Sequence, residues 1–238
     1  MSLLLSPANE PVSHRCLEHS PEGVGDFRAG AEAVTRNRVF LLSPARLDGR
    51  RAEILLNPAA TFPLAVALRG DSGATLGDVF SFLSGLYFRG KLAYATAFAS
   101  PPPGAPPILV ITTSRGLLEP SIRVRRTDLE SFARVDIAAG TRRFRNPLVR
   151  DARSIEPLLG ANGQVVLLGS IATGKYAEPL LDVFGPRLVF PIDFVGRGDM
   201  SRGGLLLRRS RSGEPLEYVP VDGAVRHGAR PPKLERLR

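Results

Sequence analysis

The sequence predicts an α/β protein: a single domain with a mostly parallel or mixed central sheet, helices flanking it and a C-terminal β-hairpin. Three observations carry that expectation. Four short apolar runs stand between turn residues, the pattern of strands buried on both faces. Segments of helical periodicity alternate with them, as crossovers between parallel strands require. Two β-favouring runs then flank Ser210–Pro215, the arrangement of a closing hairpin. The domain is expected over residues 37–222. A loose arm at 1–36 precedes it and a basic tail at 223–238 follows.

Arg38–Leu42 (RVFLL) is the first strand, ended by Ser43-Pro44-Ala45-Arg46 because proline cannot continue a central strand. After the turn dipeptide Asp48-Gly49, Ala52–Leu56 fits either a short strand or a helical turn. Leu76–Ala99 is the longest helical candidate, with Val79, Phe82, Leu83 and Leu86 on one face. Gly85 and Gly90 each weaken it by about 1 kcal/mol, and a break is expected near Gly90. Tyr87, Lys91, Tyr94 and Phe98 form a second stripe, expected to be core with the lysine snorkelling to water.

The stiff segment Pro101–Pro107 leads into the strand Ile108–Thr112. Helices are expected at Thr127–Ala133 and Leu148–Leu159, separated by the arginine-rich TRRFRNP. Gln164–Leu168 is the third strand and Tyr176–Phe184 the helix after it. Arg187–Phe190 begins the fourth strand, and VGRGDMSRGG follows as a loop. Leu205–Arg209 and Leu216–Val221 are the expected hairpin strands.

Composition narrows the chemistry. The chain has 238 residues, 43% of them apolar, which suits one domain with a real core and argues against disorder. No apolar run approaches the ~20 residues of a spanning helix, so no membrane partner is expected. Met1–Leu5 lacks a basic start and is too short for a secretory signal, so a cytoplasmic location is expected. The single cysteine, Cys16, excludes an internal disulfide and any Cys-rich zinc site. The three histidines, His14, His19 and His227, lie near the chain ends, which argues against histidine-centred catalysis. Grouping of His14, Cys16 and His19 is taken as coincidence, and no metal or cofactor is expected.

Net charge is +9, from 32 basic and 23 acidic residues, and only three of the basic ones are lysine. Residues 115–150 and 201–238 each carry nine basic residues against four acids. Local excesses of this kind suit a polyanion partner, nucleic acid or nucleotide. A GC-rich genome writes the same arginine bias.

Three loops follow apolar strands, where open α/β sheets place ligands: Ser43–Arg46, Thr113–Pro120 and Gly169–Lys175. The third fits G-x-x-x-x-G-K between a strand and a helix, a phosphate-binding pattern in which Lys175 would hold oxygens. Tyr176 stands where that motif needs Ser or Thr for Mg²⁺. A structural turn at Gly174 with a solvated Lys175 is the competing account. Gly196–Gly204 adds Arg197 and Arg202, whose guanidinium forks suit phosphate, and Asp199 as a base or an orienting group.

These loops, in order, resemble the bacterial YaaA-type peroxide-stress proteins. Ser43-Pro44-Ala45-Arg46 is similar to that family's Ser-Pro-Ala-Lys, and Ser114–Pro120 to its Ser-Gly-Leu-Tyr-Gly-x-Leu-x-Pro. Val165–Tyr176 is similar to its apolar strand with Asn-Leu-Ala-Ser and Glu-Tyr. Arg197, Gly198, Met200, Ser201 and Arg202 match its Arg-Gly-x-Met-Ser/Ala-Arg segment. The likeness spans roughly residues 38–210. This chain departs from it in lacking tryptophan, in Arg46 for lysine, in extra residues within Gly169–Tyr176, and in lacking the long helical region that the family places after its first strand, where its DNA-binding elements would lie. The resemblance implies a related α/β fold, a shared pocket, DNA binding and protection from oxidative damage.

The function expected is binding of nucleic acid or a phosphorylated nucleoside in a basic cleft. Arg46, Arg115, Lys175, Arg197 and Arg202 would contact phosphate, with Ser43, Tyr87, Asp199 and Ser201 as polar partners. The alternative is an enzyme on a nucleotide or nucleobase, with Asp199 as acid/base and Lys175 holding phosphate.

Overall fold

The computed structural model describes residues 37–138 and 140–234. The arm at 1–36, with His14, Cys16 and His19, lies outside the described residues.

The chain runs β1 (Arg38–Leu42), α1 (Arg50–Leu56), α2 (Pro63–Arg69), β2 (Ala74–Thr75), α3 (Leu76–Ser84) and α4 (Leu86–Phe98). Next come β3 (Ile108–Ile111), β4 (Leu117–Leu118), β5 (Arg123–Val124), α5 (Arg126–Ala133) and α6 (Arg142–Ile155). The last elements are β6 (Gln164–Leu168), α7 (Ala177–Phe184), β7 (Leu188–Pro191), α8 (Asp199–Ser212) and β8 (Tyr218–Pro220). The main sheet has the order β4-β3-β1-β6-β7-β8. Its four central strands are parallel, and β4 and β8 close the edges antiparallel. β2 and β5 pair separately.

The α/β architecture therefore matches expectation, and all four apolar runs are strands. Nearly every residue of β1, β3, β6 and β7 is buried, as parallel strands covered on both faces must be. From β1 the chain crosses to β3 on one side, then returns past β1 to β6 on the other. Right-handed crossovers in opposite directions put the intervening helices on opposite faces. α4 lies over β1, with the Phe40 ring 5.9 Å from Tyr94 in an edge-to-face contact. α6 and α7 pack together, and α8 packs along α4. Burial of rings such as Phe40, Phe80, Phe88 and Phe144 stabilises each by about 1.5–3 kcal/mol.

Several local expectations are corrected. The helical break falls at Gly85, whose φ of 61° a side chain would strain, and Gly90 is interior to α4. Of the two readings open for Ala52–Leu56, the helical one holds, inside α1. TRRFRNP is not a separator: α6 begins at Arg142 and runs through Pro147, anchored by buried Phe144, Leu148 and Ala152. Its arginines form the solvated face. Asp199 opens α8, so Gly196–Gly204 is not a single loop. The C-terminal strand pair is β7 with β8, and Leu205–Arg209 belongs to α8. The beginning of the basic tail folds back: Gly196 lies against Ala229, and Arg197 reaches the Pro232 carbonyl. No helix among the described residues is long and apolar enough to cross a membrane.

Candidate functional site

The connections of β1 and β6 leave in opposite directions, so their carboxyl ends flank the crevice where open α/β sheets bind ligands. Ser43 follows β1 and Gly169-Ser170 follow β6. The Ser43 amide donates to the Leu168 carbonyl at 3.2 Å, carrying the ladder one residue further. A Cβ on Gly169 would lie 2.9 Å from the Ser43 Cβ, so glycine is what lets the two loops meet.

A cleft of about 570 Å³ opens over this junction. Its floor and walls include Ser43, Ser170, Tyr87, Tyr176 and Asp199, and Arg46, Arg50 and Arg51 stand around it. Arg51 is fixed by donating to the Phe82 carbonyl at 3.0 Å while its guanidinium covers Gly85. Arg46 forms a two-point pair with Asp48 at 3.0 and 2.8 Å, which holds the Asp48 carboxyl below its ordinary range.

The wall formed by α4 and α8 depends on two glycines. A Cβ on Gly90 would come within 2.7 Å of the Gly203 carbonyl, and one on Gly203 within 2.8 Å of the Leu86 carbonyl. This close approach brings Tyr87 and Lys91 of α4 beside Asp199 and Arg202 of α8. Arg202 is largely buried; its Nε and Nη2 donate to the Phe194 carbonyl, and its Nη1 lies 3.7 Å from Asp199. The Tyr87 hydroxyl is buried with no hydrogen-bond partner among the described residues, beside the Arg202 guanidinium, and burial pushes its pKa upward.

Lys91 departs most from expectation. It does not snorkel: it is 1% exposed, and its Nζ sits 2.6 Å from the Ser43 carbonyl and 2.9 Å from Ser43 Oγ. The rings of Tyr87 and Phe88 lie 4.5 and 4.9 Å from the nitrogen. Burial lowers its pKa to about 7, while Asp199 pulls the other way. Nζ donates to both Ser43 oxygens, and once the amine is neutral its lone pair can turn to the hydroxyl while an N–H keeps the carbonyl. Tyr176 closes the other side of Ser43, and its pKa is raised mainly by burial.

Of the residues expected to act together, the structure gathers Ser43, Arg46, Tyr87 and Asp199 in one cleft, with Arg202 buttressing Asp199. The expected nine-residue site is not one unit. Lys175 is exposed and lines a neighbouring cleft of about 670 Å³, which shares Arg46 and Tyr176. Arg115 pairs with Asp128 at 3.1 Å and lines a third hollow beside Arg150 and Asp151. The cause is Gly116, seated against Asp151, which turns this loop back into β4. Arg197 and Ser201 lie with the folded-back tail, 3.3 Å from each other.

Within Gly169–Lys175, Gly174 has a φ of 64°, and the Glu178 carboxylate sits beside it, 3.7 Å from Arg226. Sequence reasoning missed Arg50, Arg51, Ser170 and Tyr176 as cleft residues, and Lys91 as a polar centre. The signal for Lys91 was a lysine one turn from Tyr87 on an otherwise apolar helix face. Among the described residues no three metal-ligating side chains gather. Compared with protein-family models, curated proteins and solved structures, the chain matches none.

Proposed function

We infer that the protein binds a phosphorylated nucleoside or a nucleic-acid phosphate in the cleft above β1 and β6. The carrying observation is the convergence of Arg46, Arg50 and Arg51 on a cleft at the point where the strand connections diverge. Guanidinium groups bind phosphate oxygens in pairs, and Tyr87 and Tyr176 line the cleft where the remainder of a nucleoside would lie. The sequence likeness to the YaaA-type proteins favours DNA as the polymeric form of that ligand and a role in protection from oxidative damage. A cytoplasmic location goes with this reading.

Phosphate contact is assigned to these arginines rather than to Gly169–Lys175 because three guanidinium groups meet two carboxylates, Asp48 and Asp199, in this cleft, whereas Lys175 lines a neighbouring one. The test is affinity for duplex DNA, single-stranded DNA and nucleotides as a function of salt. Binding should weaken steeply as salt rises, and Arg50→Ala with Arg51→Ala should lower the log–log slope by about one per arginine that meets phosphate. Salt-independent binding, or no binding at low salt, overturns the reading.

A further inference from the structure

Ser43 and Lys91 form a buried pair at the floor of the cleft. Lys91 is sealed behind Ser43, reaches no solvent, and directs its nitrogen at the one hydroxyl that faces the cleft from the end of β1. A structural lysine in this position is costly, since burial of an amine opposes its charge and most buried lysines are paired with a carboxylate. Here, among the described residues, the atoms within hydrogen-bond distance of Nζ both belong to Ser43. When Lys91 gives up its proton, an N–H can keep the Ser43 carbonyl while the lone pair takes the Ser43 hydroxyl proton, which is the arrangement that activates a serine.

We propose that Ser43 is a nucleophile, with Lys91 as its base, that attacks the phosphorus of a phosphate ester held in the cleft. This rests on the phosphate reading of the same cleft. Phosphorus is favoured over a carbonyl because the cleft supplies guanidinium groups, from Arg46, Arg50 and Arg51, suited to the charge of a phosphoryl transition state.

The step balances as follows. The Ser43 hydroxyl proton passes to Lys91 Nζ as Oγ bonds to phosphorus, and the ester P–O bond breaks. The departing oxygen takes a proton from cleft water, leaving a phosphoserine. A second water then attacks phosphorus and gives its proton to solvent. Ser43 Oγ leaves and recovers its proton from the Lys91 ammonium, so the net reaction is hydrolysis of one ester bond. The rate should rise with pH as Lys91 loses its proton. Besides burial, the charged groups that tune that titration are Asp199 and Arg202 from α8, while Tyr87 on the same helix and Tyr176 across Ser43 face the pair with raised pKa values.

The test uses the full chain with bis(4-nitrophenyl) phosphate as probe, reading nitrophenolate release and the mass of the peptide carrying Ser43. A burst equal to the protein concentration, a phosphoryl adduct on Ser43 and loss of both in Ser43→Ala are expected. Lys91→Met should slow adduct formation by about 10²–10⁴-fold. Should that variant not fold, Ser43→Cys serves instead: its thiol should alkylate near neutral pH faster than a free thiol. No adduct on Ser43, or a Ser43→Cys thiol no more reactive than a free one, overturns the proposal. Acylation of Ser43 by 4-nitrophenyl acetate without reaction of the phosphodiester overturns the choice of phosphorus. Salt-dependent nucleotide or DNA binding without an adduct overturns this proposal and leaves the binding function standing. An adduct without such binding does the reverse.

Discussion

Replacing Lys91 with methionine should change how stability depends on pH more than it changes stability at any one pH. In the native chain burial lowers the lysine from 10.5 to about 7, so the fold holds the amine neutral where the unfolded chain holds it charged. Between those values the unfolded state binds a proton that the native state does not, and stability rises with pH. Below about pH 7 both states are protonated, the slope vanishes, and the native state carries the full cost of a buried charge. Each pH step is worth about 1.4 kcal/mol, so the rise between about pH 7 and about pH 9.5 is on the order of 3 kcal/mol. Urea unfolding across that window measures it. Tyrosines held neutral by burial, Tyr87 and Tyr218, would lower stability only above their unfolded range near pH 10. Histidine and carboxylate contributions are common to both proteins and cancel in the difference. Parallel stability curves for the native chain and Lys91→Met would refute a neutral buried amine.

Three other outcomes follow from the packing. Gly203→Ala inserts a methyl 2.8 Å from the Leu86 carbonyl, and overpacking of about 1–3 kcal/mol should outweigh the ~1 kcal/mol gain in helix propensity; thermal denaturation checks this. Tyr94→Phe removes the acceptor of the Leu216 amide, 2.7 Å away, and a partner of the Tyr218 hydroxyl; a loss of about 1–3 kcal/mol in urea unfolding is expected. Gly85→Ala forces a side chain to φ 61° and displaces Arg51, which should cost about 1–2 kcal/mol from the backbone alone and weaken nucleotide binding measured by calorimetry.

The strands were legible because continuous apolar runs between turn residues have few other uses in a chain of this size. The helices were harder where tertiary contacts override local preference. Pro147 and four nearby arginines disguise α6, yet Phe144 and Leu148, one turn apart, bury the same face and hold it helical. Glycines disguise α8: Gly203 reads as loop in sequence and serves as the flat contact for α4. The Leu205–Leu207 run fits strand or helix equally, and only its place along α4 decides. For the cleft, Ser43 and Asp199 were legible as polar residues near strand or glycine-rich ends. Lys91 was not, because a lysine on an apolar helix face ordinarily extends to water. Charge counting was misleading in a specific way. The two densest basic stretches supply only Arg202 beside the cleft, whereas its rim comes from Arg46, Arg50 and Arg51 in a segment of ordinary charge.

The two edge strands limit how this protein can associate. A parallel sheet with open margins would offer unpaired amides and carbonyls to a second chain. Here β4 is only two residues long, and β8 ends in Pro220, which has no amide to donate. Short and proline-bearing margins discourage strand addition and fibrous growth. A stretched peptide or a second copy therefore gains little by lying alongside the sheet, and recognition is directed to the ends of its strands.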